Sequence, residues 1–279
     1  MLTSPLPVRR SPHFDLHIDR IGRGEPVLVI PGFGCGNWLF KPIARQLQPR
    51  YSFLLPDLPG MGASPDAGCD YSFEQLADHC HFLMQRLGHP RYHLIGISMG
   101  GFIAQKLLLQ HGEAVASCVL LATTAAHETI EAIPLLDETQ LHAMYQMEPA
   151  AMVRANSEAT VHPGFAQRDP AAYQLLLDQR LRHVAPLRSL LRQRRAVARY
   201  FESPVPLHLI NNPVLLLTGD ADRLVPTQHA TQLADQLPNA SVTRFAESDH
   251  WFFWERHHET AAAIATFLAG DKATESQAE

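Results

Sequence analysis

The sequence predicts an α/β fold built on a mostly parallel, doubly wound sheet, and three observations predict it. Short, nearly continuous apolar runs recur along the chain, and amphipathic helical patterns separate them. One such run, Tyr92-His93-Leu94-Ile95, leads straight into Gly96-Ile97-Ser98-Met99-Gly100 and then into a helical pattern carrying Phe102, Ile103, Leu107 and Leu108. Strands apolar on both faces belong to a sheet covered by helices on both sides, where parallel pairing dominates.

Taken in order, strands are expected at residues 13–18, 27–30, 51–55, 92–95, 118–122, 214–217 and 241–245. Helices are expected at 38–47, 73–87, 101–110, 228–237 and 259–268. The alternation lapses between 125 and 211, where helical periodicity continues without a convincing strand. That segment is expected to be a helical lid inserted after the sixth strand, with residues 1–124 and 212–270 as the core. The polar stretch 271–279 is expected to be a disordered tail. No fixed-period repeat is visible.

Composition narrows the function. At 279 residues and 46% hydrophobic, the chain can bury a sizeable core. A formal charge of −5 gives no basic field, so nucleic acid is not an expected partner. Cys35, Cys69, Cys80 and Cys118 form no CxxC pair and no metal-ligand spacing, so free thiols in a reducing compartment are expected and no metal is. Residues 1–11 lack an apolar secretory core, and no apolar run nears the roughly 18 residues needed to span a bilayer. A cytoplasmic location is expected, with no cofactor.

The pentapeptide around Ser98 fits Gly-x-Ser-x-Gly between a strand and a helix. A serine on so sharp a turn has its hydroxyl pushed above the sheet edge, with a helix N-terminus behind it. The hydroxyl is a poor nucleophile by itself and needs a base oriented by an acid. Of 16 histidines, His250 is set apart by its loop between the last strand and the last helix. His79 and His81, two apart, face opposite ways, so a two-histidine metal site is not expected. The loop Gly219-Asp220-Ala221-Asp222 lies at a strand's C-terminal end. Asp220 is close enough to the glycine to serve the turn, whereas Asp222 is better placed to reach a histidine. The backbone N–H groups of Met99, after the nucleophile, and Phe33, in Pro31-Gly32-Phe33-Gly34, are the expected oxyanion donors.

With these pieces in order, the chain resembles the α/β-hydrolase superfamily of serine esterase type along nearly its whole length. Asp57-Leu58-Pro59-Gly60-Met61-Gly62-Ala63-Ser64 is similar to that family's D-x-P-G-x-G-x-S turn, and residues 219–226 to its acid loop. The resemblance implies an α/β-hydrolase fold with Ser98 as nucleophile, Asp222 as acid and His250 as base, and acyl transfer as the reaction. Members with an aspartate nucleophile, such as haloalkane dehalogenases and epoxide hydrolases, are excluded by Ser98. Two departures stand out: Pro31-Gly32 replaces His-Gly, and Asp249-His250 replaces Gly-His. Asp249 would either raise the histidine's pKa or face solvent, and the solvent reading is preferred.

Substrate class has one handle. Arg188, Arg192, Arg195 and Arg199 recur at i, i+4, i+7 and i+11, a single stripe if the segment is helical. The stripe is either a solvated basic face or a dock for an acyl carrier protein or other anionic partner. In the second respect the chain resembles pimeloyl-acyl-carrier-protein methyl ester esterases. Trp251-Phe252-Phe253-Trp254 is expected to wedge the last helix onto the sheet rather than touch a membrane. The leading reading is a carboxylic ester hydrolase acting on a small acyl ester. The same triad also serves a lactonase, carbon–carbon hydrolase, polyester depolymerase, thioesterase or cofactor-free perhydrolase, and a non-catalytic ligand receptor is the further alternative.

Overall fold

Two apolar layers, one on each face of a single sheet, organise the molecule. The computed structural model describes residues 14–125 and 136–275, with side chains described as far as Gly270. The strands are β1 (Ile18–Gly22), β2 (Glu25–Ile30), β3 (Tyr51–Pro56), β4 (Tyr92–Ile97), β5 (Val115–Leu121), β6 (Val214–Gly219) and β7 (Ala240–Phe245). Their order across the sheet is β1-β3-β2-β4-β5-β6-β7, with β1 antiparallel to β3 and every other pairing parallel.

Side-chain alternation along each strand explains the layering. Leu28, Ile30, Leu54, Leu94, Leu120 and Leu216 point to one face. There they pack with α2 (Phe73–Arg86), α3 (Met99–His111) and α9 (Gln228–Gln236). Val27, Val29, Phe53, Leu55, Ile95, Val119 and Leu215 point to the other face. That face is closed by α1 (Lys41–Leu47), α10 (Phe252–Glu255) and α11 (His257–Glu275). Trp251, Phe252, Phe253 and Trp254 are all buried in this second layer, so the aromatic run wedges the last helices onto the sheet.

Several expectations need correction. The first strand lies at Ile18–Gly22, past the stretch expected, because it pairs antiparallel with β3; residue 13 lies outside the described residues. The helix expected from 38 splits into a 3₁₀ turn, Asn37–Phe40, and α1, which carries Pro42 in its first turn. The tail expected from 271 is helical as far as 275, because α11 runs on; 276–279 lie outside the described residues.

The helical insertion leaves the sheet after β5, the fifth described strand, rather than after a sixth. Its described helices are α4 (Glu138–Met144), α5 (Pro149–Glu158), α6 (Phe165–Arg168), α7 (Pro170–Arg182) and α8 (Leu187–Tyr200). Residues 126–135 of the expected lid lie outside the described residues. Local chemistry starts these helices: Asp137 and Gln140 form a capping box, and Asp169 caps α7 ahead of Pro170. Among the described residues, no helix is long and apolar enough to cross a membrane.

The topology sets the site. From β2 the chain steps to β3 on one side, then crosses back so that β4 pairs with the opposite edge of β2. This switch opens a crevice beyond the C-terminal ends of β2 and β4, where ligands of such sheets bind. Ile30 pairs with Gly96, so the Pro31–Gly34 turn and Ser98 emerge side by side.

Candidate active site

Ser98 sits between β4 and α3 with φ 52° and ψ −117°, a conformation non-glycine residues rarely adopt. The turn is held by Ser98 N donating to Leu121 O (2.8 Å) and Thr123 Oγ1 donating to Ser98 O (2.8 Å). A Cβ at Gly100 would lie 2.1 Å from Ile30 O, so only glycine lets α3 start this close to β2.

His250 comes from the loop after β7 and Asp222 from the loop after β6, both at the strand ends that carry Ser98. His250 Nε2 lies 3.1 Å from Ser98 Oγ, and His250 Nδ1 lies 3.0 Å from Asp222 Oδ2. A carboxylate only accepts, so Nδ1 carries the proton and Nε2 presents a lone pair to the serine hydroxyl. Asp222 is held in turn: its Oδ1 accepts from Leu224 N (2.9 Å) and Val225 N (2.7 Å). Both partners are buried, His250 at 3% and Asp222 at 6% exposure, whereas Asp220 faces solvent. The arrangement can move a proton from hydroxyl to imidazole and steady the resulting imidazolium.

Asp249 overturns the expectation of a solvent-facing carboxylate. It is fully buried and accepts from Arg223 Nε (2.5 Å), Arg223 N (2.9 Å) and His250 N (2.7 Å). Neighbouring N–H groups thus satisfy the charge that burial would otherwise penalise. Arg223 Nη2 also donates to Glu158 O (2.7 Å) and Val161 O (2.8 Å) in the insertion. Nearby, Glu255 accepts from Asp249 N and His162 N and pairs with Arg168; burial holds its carboxyl above the usual range.

Met99 follows Ser98 at the start of α3, and Phe33 lines the same cavity as the serine. The Phe33 turn is fixed from two sides. Gly34 N donates to Gln193 Oε1 of α8 (2.8 Å), and Asp57 accepts from Asn37 N (2.7 Å) and Ala63 N (3.0 Å). Gln193 is completely buried. It lies three residues from both Leu190 and Ala196, so its place on the buried face of α8 was readable from helical spacing.

A cavity of about 450 Å³ opens over Ser98, walled by the Phe33 turn, the base loop and the insertion helices. Its lining is mainly apolar, with Phe33, Leu39, Met99, Phe102, Met152 and Phe253 among its walls. Arg180 of α7 also reaches it. It lies four and three residues after the buried Leu176 and Leu177, the spacing that turns it inward. Among the described residues, no group of three His, Cys, Asp or Glu side chains is arranged to hold a metal.

Each arginine of the α8 stripe has a carboxylate within the chain. Arg188 lies 3.6 Å from Asp66, and Arg192 pairs with the same carboxylate. Arg195 bonds Glu138 (2.9 Å) and Asp70 (3.3 Å), and Arg199 lies 3.4 Å from Asp70. The stripe lies along the loop after the Asp57 turn, with only the Arg188 side chain largely exposed (74%).

The family model for the alpha/beta hydrolase fold matches residues 25–257. The chain is an α/β hydrolase. Among its relatives, a poly(3-hydroxyalkanoate) depolymerase of Ectopseudomonas oleovorans is 26% identical over 255 residues, covering 88% of this chain and 85% of the relative. A pimeloyl-[acyl-carrier protein] methyl ester esterase of Chromobacterium violaceum is 27% identical over 271 residues, covering 91% and 98%. Among solved structures, a thermophilic esterase from Thermogutta terrifontis superposes on this α/β hydrolase with a TM-score of 0.77 at 20% identity, covering 92% and 94%.

Proposed function

We propose that this α/β hydrolase cleaves a carboxylic ester through an acyl-enzyme on Ser98. The observation that carries the reading is the unbroken path Ser98 Oγ, His250 Nε2, His250 Nδ1, Asp222 Oδ2, with contacts of 3.1 and 3.0 Å. Ser98 Oγ attacks the carbonyl carbon as its proton passes to His250 Nε2. The negative charge on the carbonyl oxygen falls to the N–H groups of Phe33 and Met99. His250 then returns the proton to the departing alcohol. Water, deprotonated by the same imidazole, attacks the acyl-enzyme, releases the acid and restores Ser98. The depolymerase and esterase relatives favour an ester as the bond.

The test is labelling with an organophosphonate and turnover of short p-nitrophenyl esters. A stoichiometric adduct on Ser98, absent from Ser98→Ala, is expected together with turnover. Neither adduct nor turnover would favour the non-catalytic receptor.

Arrival of the substrate on an acyl carrier protein is a second reading, favoured by the exposed Arg188 and the carrier-protein esterase relative. Arg192, Arg195 and Arg199 are already engaged with Asp66, Asp70 and Glu138, so a carrier would have to compete for them. Comparing a methyl ester on carrier protein with the free ester, in wild type and Arg188→Glu, decides it. Equal rates throughout would sink it.

A further inference from the structure

Arg180 differs from Arg168, Arg223 and the arginine stripe on α8. Arg168 pairs with Glu255, Arg223 with Asp249, and the stripe on α8 with Asp66, Asp70 and Glu138. Among the described residues, Arg180 pairs with no carboxylate. Its guanidinium lies 3.8 Å over the ring of Trp251, the residue after the base, and Nη2 donates to Thr160 Oγ1 at 3.1 Å. Thr160 gives its own hydroxyl proton to Asn156 O (2.8 Å), so it meets the guanidinium as an acceptor. A guanidinium has five N–H donors, and a tryptophan face offsets only part of the cost of taking its charge from water. Burial already lowers its pKa to about 10, with the Cys35 side chain pulling the other way.

A second donor in the same wall is unused. Trp38 lines the cavity, and its Nε1 is buried without a partner among the described residues. By contrast, the neighbouring Trp254 Nε1 donates to Leu39 O at 3.0 Å. Trp38 lies 5.9 Å from Trp251 between ring centroids, so the unpartnered indole N–H belongs to a ring that neighbours the one carrying the guanidinium. Among the described residues, no aspartate or glutamate lines this cavity. Its described titratable lining is Cys35, Tyr145, His183, His250 and the two arginines, of which Arg223 is neutralised by Asp249. Among the described residues the walls are mainly apolar, and Arg180 brings to them a positive charge without a carboxylate partner.

We propose that Arg180 and Trp38 form a carboxylate subsite, and that the esters cleaved here carry a free carboxylate on the part that enters this cavity. The inference rests on the serine-hydrolase reading above and names its substrate class: half-esters of dicarboxylic acids or their close relatives. A carboxylate offers two coplanar oxygens to the guanidinium fork and a further lone pair to an indole N–H. A neutral ester of equal length leaves both donors unmet, and buried unmet donors are what make a polar pocket discriminate.

The experiment compares mono-p-nitrophenyl esters of succinic, glutaric and adipic acid with the same compounds capped as methyl esters. The quantity read is the ratio of kcat/KM for acid over capped ester. In the wild type the ratio is expected to exceed about tenfold for at least one chain length, in line with a charge-assisted hydrogen bond. Arg180→Met should bring it to about one, Trp38→Phe should lower it severalfold, and Arg180→Lys should keep part of it. A purely structural role for Arg180 lowers both rates together and leaves the ratio unchanged. That result, or a wild-type ratio at or below one at every length, overturns the proposal. A second arm needs no chemistry: Ser98→Ala is titrated with glutarate and adipate, read by tryptophan fluorescence. Saturable binding that is lost in Ser98→Ala/Arg180→Met supports the subsite. Absence of binding overturns it, whatever Ser98 proves to do.

Discussion

Arg223 and Asp249 tie together the loops that carry Asp222 and His250. Each stands beside a member of the relay, Arg223 after Asp222 and Asp249 before His250, and their side chains meet at 2.5 Å. Arg223 continues into the insertion through Glu158 O and Val161 O, so one side chain spans the Asp222 loop, the His250 loop and the insertion. Arg223→Ala leaves a buried carboxylate unpaired and is expected to cost about 2–4 kcal/mol of stability. Asp249→Gly/Arg223→Ala, which removes both charges, should sit closer to wild type than Arg223→Ala alone. Chemical denaturation of the three variants checks this; an additive cycle would contradict it.

The relay itself gives a sharper expectation. Asp222→Asn should lower kcat by about 10⁴-fold, because an amide in place of the carboxylate no longer enforces the tautomer that presents a lone pair to Ser98. Steady-state rates on a p-nitrophenyl ester measure it. A loss of less than about tenfold would mean that another acid serves His250.

Gln193 holds the turn that bears Phe33 from across the molecule, with Oε1 2.8 Å from Gly34 N. Gln193→Leu fills similar space but abandons that bond. The expected loss in kcat is about 10–100-fold, below the 10²–10³ seen when an oxyanion donor is removed outright. Labelling of Ser98 by a small phosphonate should slow in parallel, while unchanged labelling would show that the turn holds its shape unaided.

Asp66 makes the junction between core and α8 sensitive to acid. Burial acts to raise its pKa, but the Gly68 N–H and Arg192 outweigh it and hold the carboxyl below its ordinary value of 3.8. A depressed folded pKa means that the contribution is present above the unfolded value and lost as pH falls through the folded one. The insertion should therefore loosen below about pH 3.8, and Asp66→Asn should loosen it at neutral pH. Hydrogen exchange across 187–200 follows it. Gly60 matters here too: at φ +76° its missing Cβ would lie 2.2 Å from Ser189 Oγ, so substitution there should separate the same surfaces.

The thiols divide by environment. Burial pushes Cys35 up to about 11 and Cys80 up to about 12, and Cys69 is exposed. At neutral pH iodoacetamide should modify Cys69 within minutes and leave Cys35 and Cys80 untouched until the protein unfolds. Mass mapping of the alkylated peptides decides it.

The primary sequence was sufficient for the sheet, for the strand–turn–helix around Ser98 and for picking Asp222 over Asp220. All of these rest on local regularities: apolar runs, glycines where backbones crowd, and turn residues at strand ends. It was not sufficient for Asp249, which looked like a solvent-facing neighbour of the base and is buried against Arg223. Nor did it separate Arg180 from the arginines of α8, since seven arginines between 180 and 199 are alike in composition. Which of them meets an aspartate and which enters the cavity depends on how α7 and α8 are laid over the strand ends. Partner choice for a charge is a long-range matter decided by packing, and only the folded chain, with Asp66 and Trp251 brought to their places, determines it.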